Sequence, residues 1–185
     1  MNDMSNFNLV VFRAIYGLSH RNIFLDDIGI FLANYLPYIL VLGFLVLLYY
    51  QRGWRLRLYW FAEAAIAILV SRGLITEIIR HFYNHPRPFD ALGIPALIFE
   101  SGNSFPSGHM TFFFPLALAV LYMNRTWGWW YIALTAIMGV ARIYVGVHWP
   151  FDIAGGALIG IACALAVHAA LRPQRNGLLK NGGTA

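Results

Sequence analysis

The sequence predicts an all-α integral membrane protein, a helical bundle of about five transmembrane helices plus an N-terminal interfacial amphipathic helix. Three observations predict this fold. Hydrophobic residues make up 59% of the 185 residues and charged residues only 11%, whereas charged residues form about a quarter of a soluble domain. The apolar residues come in long runs that are separated by short polar segments. The basic residues are concentrated beside the ends of these runs.

The N-terminal stretch Phe7–Leu18 predicts the amphipathic helix. It is too short to cross a bilayer, which takes about 20 residues at 1.5 Å per residue. One helical face collects apolar side chains, which predicts a helix lying in the membrane interface. Those side chains are Phe7, Val11, Ala14, Ile15 and Leu18.

Longer apolar runs predict the membrane-spanning helices. In the last of these runs, Gly156 and Gly160 form a small-xxx-small pair that suits close contact with another helix. Residues 1–175 are interpreted as one domain, and residues 176–185 are expected to form a flexible C-terminal tail. The predicted spans are Ile28–Tyr50, Trp54–Ile79, Met110–Met123, Trp127–Val145 and Phe151–Leu171.

The basic residues orient the predicted spans. Those that follow the first, third and last spans fall on one side, which the positive-inside rule assigns to the cytoplasm. Four tryptophans lie at the same boundary, as interface aromatics do. The remaining arginines, Arg80, Arg87 and Arg142, fall on the opposite, outer side. They belong to three segments with a distinctive composition.

These outer segments are "RHFYNHPRP" (Arg80–Pro88), "PSGH" (Pro106–His109) and "RIYVGVHWPFD" (Arg142–Asp152). Guanidinium groups fork onto phosphate oxygens through paired N–H donors, so the three arginines suit a phosphoryl group. Ser107 and Gly108 stand at a predicted helix start, where backbone N–H groups bind anions. The segments therefore predict a phosphate site.

Two histidines in these segments suit the chemistry of phosphoryl transfer. His148 and Asp152 are four residues apart, so the carboxylate can orient one imidazole nitrogen while the other attacks phosphorus. His109 is left to protonate the leaving group. Plainer interpretations stay open for single residues, because Asp152 also suits a helix cap and Arg80 can pair with Glu77 one turn away.

The sequence gives less support to other classes of function. The basic residues form no tract of the kind that binds nucleic acid, and no His, Cys or carboxylate cluster has metal-ligand spacing, so neither metal nor cofactor is expected. Glu63, Arg72 and Glu77 lie within one predicted span, where ionisable residues are functional candidates. They leave a non-catalytic lipid-binding or transport protein as a remote alternative. The single cysteine, Cys163, is interpreted as packing.

Taken together, the three segments resemble the signature of the type 2 phosphatidic acid phosphatase (PAP2) superfamily, which includes the vanadium haloperoxidases. That signature is Lys-x6-Arg-Pro, Pro-Ser-Gly-His and Ser-Arg-x5-His-x3-Asp. The resemblance implies a metal-independent phosphohydrolase acting through a phosphohistidine. Arg80 stands where the family has Lys, and Ala141 where it has Ser. By motif position, His148 is implied as nucleophile, Asp152 as its orienter, His109 as general acid, and Arg80, Arg87, Ser107, Gly108 and Arg142 as phosphate ligands.

The N-terminal half carries a finer resemblance. "FRAIYGLSHRN" followed by "LDDIGIF" is similar to bacterial undecaprenyl-diphosphatases of the bacitracin-resistance type. This implies a polyprenyl diphosphate substrate, a multi-pass protein of the bacterial inner membrane and an active site that faces the outside. Phosphatidylglycerophosphate, phosphatidic acid and lipid A stay open as alternative substrates, and so does the oligomeric state. The segment Phe89–Asn103 is a candidate lid.

Overall fold

The computed structural model describes residues 3–181, and this part of the chain folds into helices without any β-strand. Two of the helices contain a wider π-helical segment, Phe31–Tyr35 in α2 and Leu69–Ile75 in α3. The helices are α1 (Asp3–Tyr16), α2 (Ile23–Tyr49), α3 (residues 54–82), α4 (Pro88–Leu92), α5 (Gly108–Met123), α6 (Arg125–Tyr144) and α7 (Pro150–Asn181).

The all-helical prediction is confirmed, and every predicted span falls within or almost entirely within an observed helix. Two stretches are long and apolar enough to cross a bilayer by length and composition, Ile23–Tyr49 and Pro150–Leu178, and α5 is a shorter apolar helix. The number of membrane crossings therefore stays a prediction.

The observed helix ends differ from the predicted ones for local reasons. α2 begins at Ile23, before the acidic pair in its first two turns, because the Asn22 side chain accepts hydrogen bonds from the backbone N–H groups of Phe24 and Leu25. α7 continues to Asn181, through Pro173 and into the segment predicted to be a tail. Residues 182–185 of that segment lie outside the described residues.

Helix α5 is the centre of the bundle and packs against α3, α6 and α7. Its contact with α7 is close because α7 presents glycines. A Cβ atom added to Gly156 would lie 2.7 Å from the Ser107 carbonyl oxygen, and one added to Gly160 would lie 3.0 Å from that of Met110. The small-xxx-small pair thus holds the N-terminal ends of α5 and α7 together.

The N-terminal helix α1 packs at the end of the bundle where α6 ends and α7 begins. Phe12 is fully buried, with its ring centroid 5.1 Å from that of Trp149. Asn8 accepts a hydrogen bond of 3.0 Å from the backbone N–H of Phe151. Phe7 and Leu18, from the predicted apolar face, remain exposed. Such an exposed apolar face supports the interfacial location, which stays a prediction.

Candidate active site

The structure brings all the predicted site residues to one end of the bundle. Arg80 lies in the last turn of α3, and Arg142 in the last turn of α6. Arg87 precedes α4 and Ser107 precedes α5, which begins with Gly108 and His109. His148 lies in the loop before α7, and Asp152 in the first turn of that helix.

A cavity of about 700 Å³ opens at this end, and its wall has a polar and an apolar part. The polar part includes Arg80, Gly108, His109 and Arg142. The apolar part comes from side chains of α2 and α5. It includes Tyr35, Tyr38, Phe112 and Phe113. Behind the wall, Arg87, Ser107, His148 and Asp152 are at most 1% exposed.

His148 is held between a carboxylate and a guanidinium. Its Nδ1 lies 3.3 Å from Oδ2 of Asp152, and its Nε2 lies 3.4 Å from Nη1 of Arg87. Because arginine only donates, Nε2 carries the lone pair and the proton resides on Nδ1, where it faces Asp152. Burial, and then the charges of Arg142 and Arg87, lower the pKa of His148 well below its ordinary value. The imidazole is therefore neutral, and the lone pair of Nε2, which faces the Arg87 guanidinium, could act as a nucleophile.

Asp152 is fixed by further donors. The same Oδ2 atom accepts hydrogen bonds from the Ser104 hydroxyl at 2.5 Å and from the Trp149 backbone N–H at 2.7 Å. Ser104 was not among the predicted site residues. Its partner is far away along the chain, and only the folded loop brings the two together, so no local spacing indicated this role.

The arginines tie the three segments to one another. Arg87 donates to the carbonyl oxygens of Val147 at 2.8 Å and Gly102 at 3.1 Å. Arg80 donates to the carbonyl oxygen of Pro106 at 2.9 Å. The ion pair between Arg80 and Glu77, which the sequence left open as an alternative, is not observed. Glu77 pairs instead with Arg72, a cavity-lining residue that the sequence analysis did not assign to the phosphate site.

His109 and Arg142 form the second half of the site. Nε2 of His109 lies 3.4 Å from Nη1 of Arg142, which also lies 3.4 Å from the Ala33 carbonyl oxygen in the π-helical segment of α2. Thus a carbonyl group of α2 helps to position Arg142, which belongs to the third outer segment. The buried Arg142 guanidinium faces the same cavity as His109. A phosphoryl group bound here would contact both residues.

An acidic side chain already lies against the guanidinium groups of Arg87 and Arg142. The Glu100 carboxylate forms ion pairs with Arg87, at 3.3 Å, and with Arg142. It comes from the predicted lid segment Phe89–Asn103, and it was not predicted as a site residue. A carboxylate on two buried guanidinium groups shows that this position favours an anion.

Several buried donors still lack a hydrogen-bond partner within the described residues. They include the Ser107 hydroxyl and the Nε atoms of Arg80 and Arg142. The backbone N–H of Ser107 is occupied, because it donates to the Asp152 carbonyl oxygen at 3.1 Å. An anion cradle, which stays a prediction, would therefore consist of side-chain donors together with the later N–H groups of the α5 start.

Other ionisable residues lie outside this cluster. Glu63 is buried lower in α3, where its carboxylate lies 2.8 Å from Nδ1 of His168. Cys163 is also buried, in α7. Between residues 3 and 181, no three His, Cys, Asp or Glu side chains come together in a way that would hold a metal ion. The positive charge at the site comes from guanidinium groups.

Comparison with known proteins identifies the family of this chain. Residues 61–175 match the PAP2 superfamily. The undecaprenyl-diphosphatase BcrC of Bacillus subtilis (strain 168) is 36% identical over 157 residues, which cover 83% of this chain and 79% of that protein. The bacitracin transport permease protein BcrC of Bacillus licheniformis is 35% identical over 165 residues, which cover 88% of this chain and 80% of that protein.

A solved structure has a similar fold. The crystal structure of Aquifex aeolicus LpxE is similar with a TM-score of 0.70 and 27% identity, covering 87% of this chain and 94% of that chain. Residues 61–175, which match the family, contain all three motif segments and the cavity-lining residues of α3, α5 and α6. The chain therefore belongs to the PAP2 superfamily and is a membrane phosphatase of that family.

Proposed function

We propose that the protein removes the terminal phosphate of a polyprenyl diphosphate such as undecaprenyl diphosphate, through a phosphohistidine intermediate. The observation that carries the mechanism is the orientation of His148. Its Nδ1 faces the Asp152 carboxylate and its Nε2 faces the Arg87 guanidinium. A phosphoryl group bound by Arg87 would therefore lie beside the lone pair of Nε2.

In the first step, Nε2 of His148 attacks the terminal phosphorus and a P–N bond forms. The bond from phosphorus to the bridging oxygen breaks, and protonated His109, whose positive charge the bound diphosphate would stabilise, donates its proton to that oxygen, so the lipid monophosphate leaves. Water then attacks the phosphohistidine while His109 takes up one of its protons. Inorganic phosphate is released and both histidines return to their starting states.

The arginines supply the electrostatic part of catalysis. Arg80, Arg87 and Arg142, with the Ser107 hydroxyl and the N–H groups at Gly108, would hold the equatorial oxygens of the transferred group. These donors are fixed before substrate binds, because backbone carbonyls hold the guanidinium groups. In this mechanism guanidinium groups supply the positive charge that metal ions supply in other phosphatases.

Two observations support a lipid diphosphate as the substrate. The relative from Bacillus subtilis is named as an undecaprenyl-diphosphatase. In addition, Tyr38, Phe112 and Phe113 give the cavity an apolar wall beside its cationic end, which suits a tail attached to a phosphate. The proposed site faces the outside of a bacterial inner membrane.

The substrate class is tested by phosphate release from a panel of lipid phosphates in detergent: undecaprenyl diphosphate, phosphatidylglycerophosphate, phosphatidic acid and lipid A. We expect the highest kcat/KM with undecaprenyl diphosphate. A preference for one of the other lipids would replace the proposed substrate. Binding of lipid without any phosphate release would favour the transport function in the name of the Bacillus licheniformis relative.

The roles of the two histidines are tested by varying the leaving group. His148→Ala should fall to background on every substrate, because the covalent route is lost. His109→Ala should lose about 10²–10⁴-fold on the lipid, yet keep much more activity on p-nitrophenyl phosphate, whose leaving group needs little protonation. The exposed His81, at the same end of the bundle, gives a matched control as His81→Ala. Equal rescue of both variants by the good leaving group would contradict the assignment.

A further inference from the structure

We propose that Arg72 binds the second phosphate of the substrate, the one that stays on the lipid, and so selects lipid diphosphates over lipid monophosphates. This inference rests on the proposed function. The three arginines of the outer segments surround the place of the transferred phosphate, and a diphosphate carries another anionic group on the far side of the bridging oxygen. A residue that recognises this group needs a positive charge next to the leaving-group side of the site.

Arg72 has this position. It lines the same cavity as Arg80, His109 and Arg142. Its guanidinium packs on the first residue of α5, since a Cβ atom added to Gly108 would lie 2.9 Å from Nε of Arg72 and 3.4 Å from its Cζ. The next residue of α5 is His109, the proposed donor of the proton to the bridging oxygen. Arg72 is therefore adjacent to the group that handles the bond between the two phosphates.

Depth within the bundle also fits. Arg72 precedes Arg80 by eight residues on α3, which places its Cα about 12 Å further from the outer end at 1.5 Å per residue. Its long side chain extends from there to Gly108. The tail of a bound lipid would leave the site in this direction, towards the apolar wall formed by Phe112 and Phe113. The phosphate nearer to the tail would then lie on the Arg72 side.

The backbone around Arg72 is specialised. Arg72 lies in the π-helical segment Leu69–Ile75, and such segments occur frequently at functional sites. The widened turn is tied to α5, because the Ser71 hydroxyl lies 2.6 Å from the Thr111 carbonyl oxygen and the Thr76 hydroxyl lies 3.1 Å from the Thr111 hydroxyl. It also lets Arg72 pair with Glu77, five residues further on. The guanidinium is thereby held against the start of α5.

A purely structural role explains this pair poorly. The Arg72 and Glu77 side chains are 36% and 56% exposed, and ion pairs that water reaches add little to stability. Ionisable residues within a membrane-spanning helix are costly and are functional candidates by default. In the free protein Glu77 neutralises Arg72, and on binding the phosphate would take over that partnership.

The test compares two substrates that differ only in the second phosphate, farnesyl diphosphate and farnesyl monophosphate. We expect Arg72→Gln to lower the ratio of kcat/KM for the diphosphate to that for the monophosphate by about 10–100-fold, the loss of one or two charge-assisted hydrogen bonds. Arg72→Lys should restore part of this ratio, because it keeps the charge without the fork. The exposed Arg125, at the opposite end of the bundle, provides Arg125→Gln as the matched control.

A binding measurement serves as a second readout. Methylene diphosphonate, whose P–C–P bridge resists hydrolysis, should inhibit wild type more strongly than inorganic phosphate, and Arg72→Gln should remove that difference. An unchanged substrate ratio, or an equal loss on both substrates, would overturn the role of Arg72 while the proposed function stands. Failure of the wild-type protein to hydrolyse any prenyl diphosphate would overturn the proposed function, and this inference with it.

Discussion

Glu100 occupies the arginine pair to which the transferred phosphate is proposed to bind, so removing its charge should strengthen the binding of anions. Its carboxylate lies 3.3 Å from Nη1 of Arg87 and also pairs with Arg142. Before a phosphate can take these donors, the carboxylate must leave them. The variant Glu100→Gln keeps the shape of the side chain and removes the competing charge.

The size of the effect follows from the exposure of the partners. A hydrogen bond to a charged group is worth about 1.5–3 kcal/mol. The two arginines are nearly fully buried but the Glu100 side chain is 31% exposed, so solvent screens part of this interaction. We therefore expect a gain of about 1–2 kcal/mol, which makes phosphate bind about 5–30-fold more tightly.

The assay is competitive inhibition by inorganic phosphate, measured for wild type and Glu100→Gln. Asp27→Asn removes an exposed acidic charge from the first turns of α2 and serves as the control for long-range electrostatics. Without phosphate, Glu100→Gln should also have a lower Tm, because it leaves two buried guanidinium groups unpaired, and added phosphate should restore more stability than in wild type. An inhibition constant that is unchanged or weaker would refute the reasoning.

Four other predictions follow from the structure. Excess EDTA should leave phosphate release unchanged, because arginines supply the positive charge; a loss that one divalent ion restores would contradict this. A cysteine at Asn103 should react with an impermeant reagent from the outside and one at Asn124 should not, whereas the reverse result would place the site in the cytoplasm. The imidazole of His148 should stay neutral at about pH 6, since burial lowers its pKa below the usual value of about 6.5; a histidine ¹⁵N signal, assigned through His148→Gln, that titrates near 6.5 would count against it. Gly156→Ala should destabilise the protein by about 1–3 kcal/mol and reduce activity, because the new Cβ would meet the Ser107 carbonyl at 2.7 Å, while Gly177→Ala, which meets nothing within 4 Å, should not lower Tm and should leave kcat/KM unchanged.

The part of the site that is close in sequence could be predicted in detail. His148 and Asp152 are four residues apart at a helix start, so their contact depends on local geometry alone. The meeting of Arg87 and Arg142 with this pair required one more inference, that alternate span ends lie on the same side. The observed bundle places them together.

The contacts that sequence reasoning missed depend on how the loops fold. Ser104 reaches Asp152 across 48 residues, and Glu100 reaches Arg142 from a segment without regular structure. An acidic residue in a loop normally indicates exposure, and nothing near Glu100 in sequence suggests two buried cations. The position of Arg72 beside the start of α5 could not be predicted for another reason. The π-helical segment changes the periodicity of α3, and a regular 3.6-residue repeat does not predict which neighbours its side chains meet.

The cavity is bordered by side chains on the outside of the bundle, and this affects how the enzyme would meet its substrate. Tyr35 and Tyr38 line it and are nevertheless 57% and 74% exposed, so the opening lies on the flank of the helices as well as at their end. A lipid substrate of the proposed kind would then arrive by diffusion in two dimensions. Its effective concentration is its mole fraction in the bilayer or micelle, and adding detergent at constant total lipid should slow turnover through dilution alone. The lipid product leaves into the same phase, where it competes with fresh substrate until another reaction consumes it.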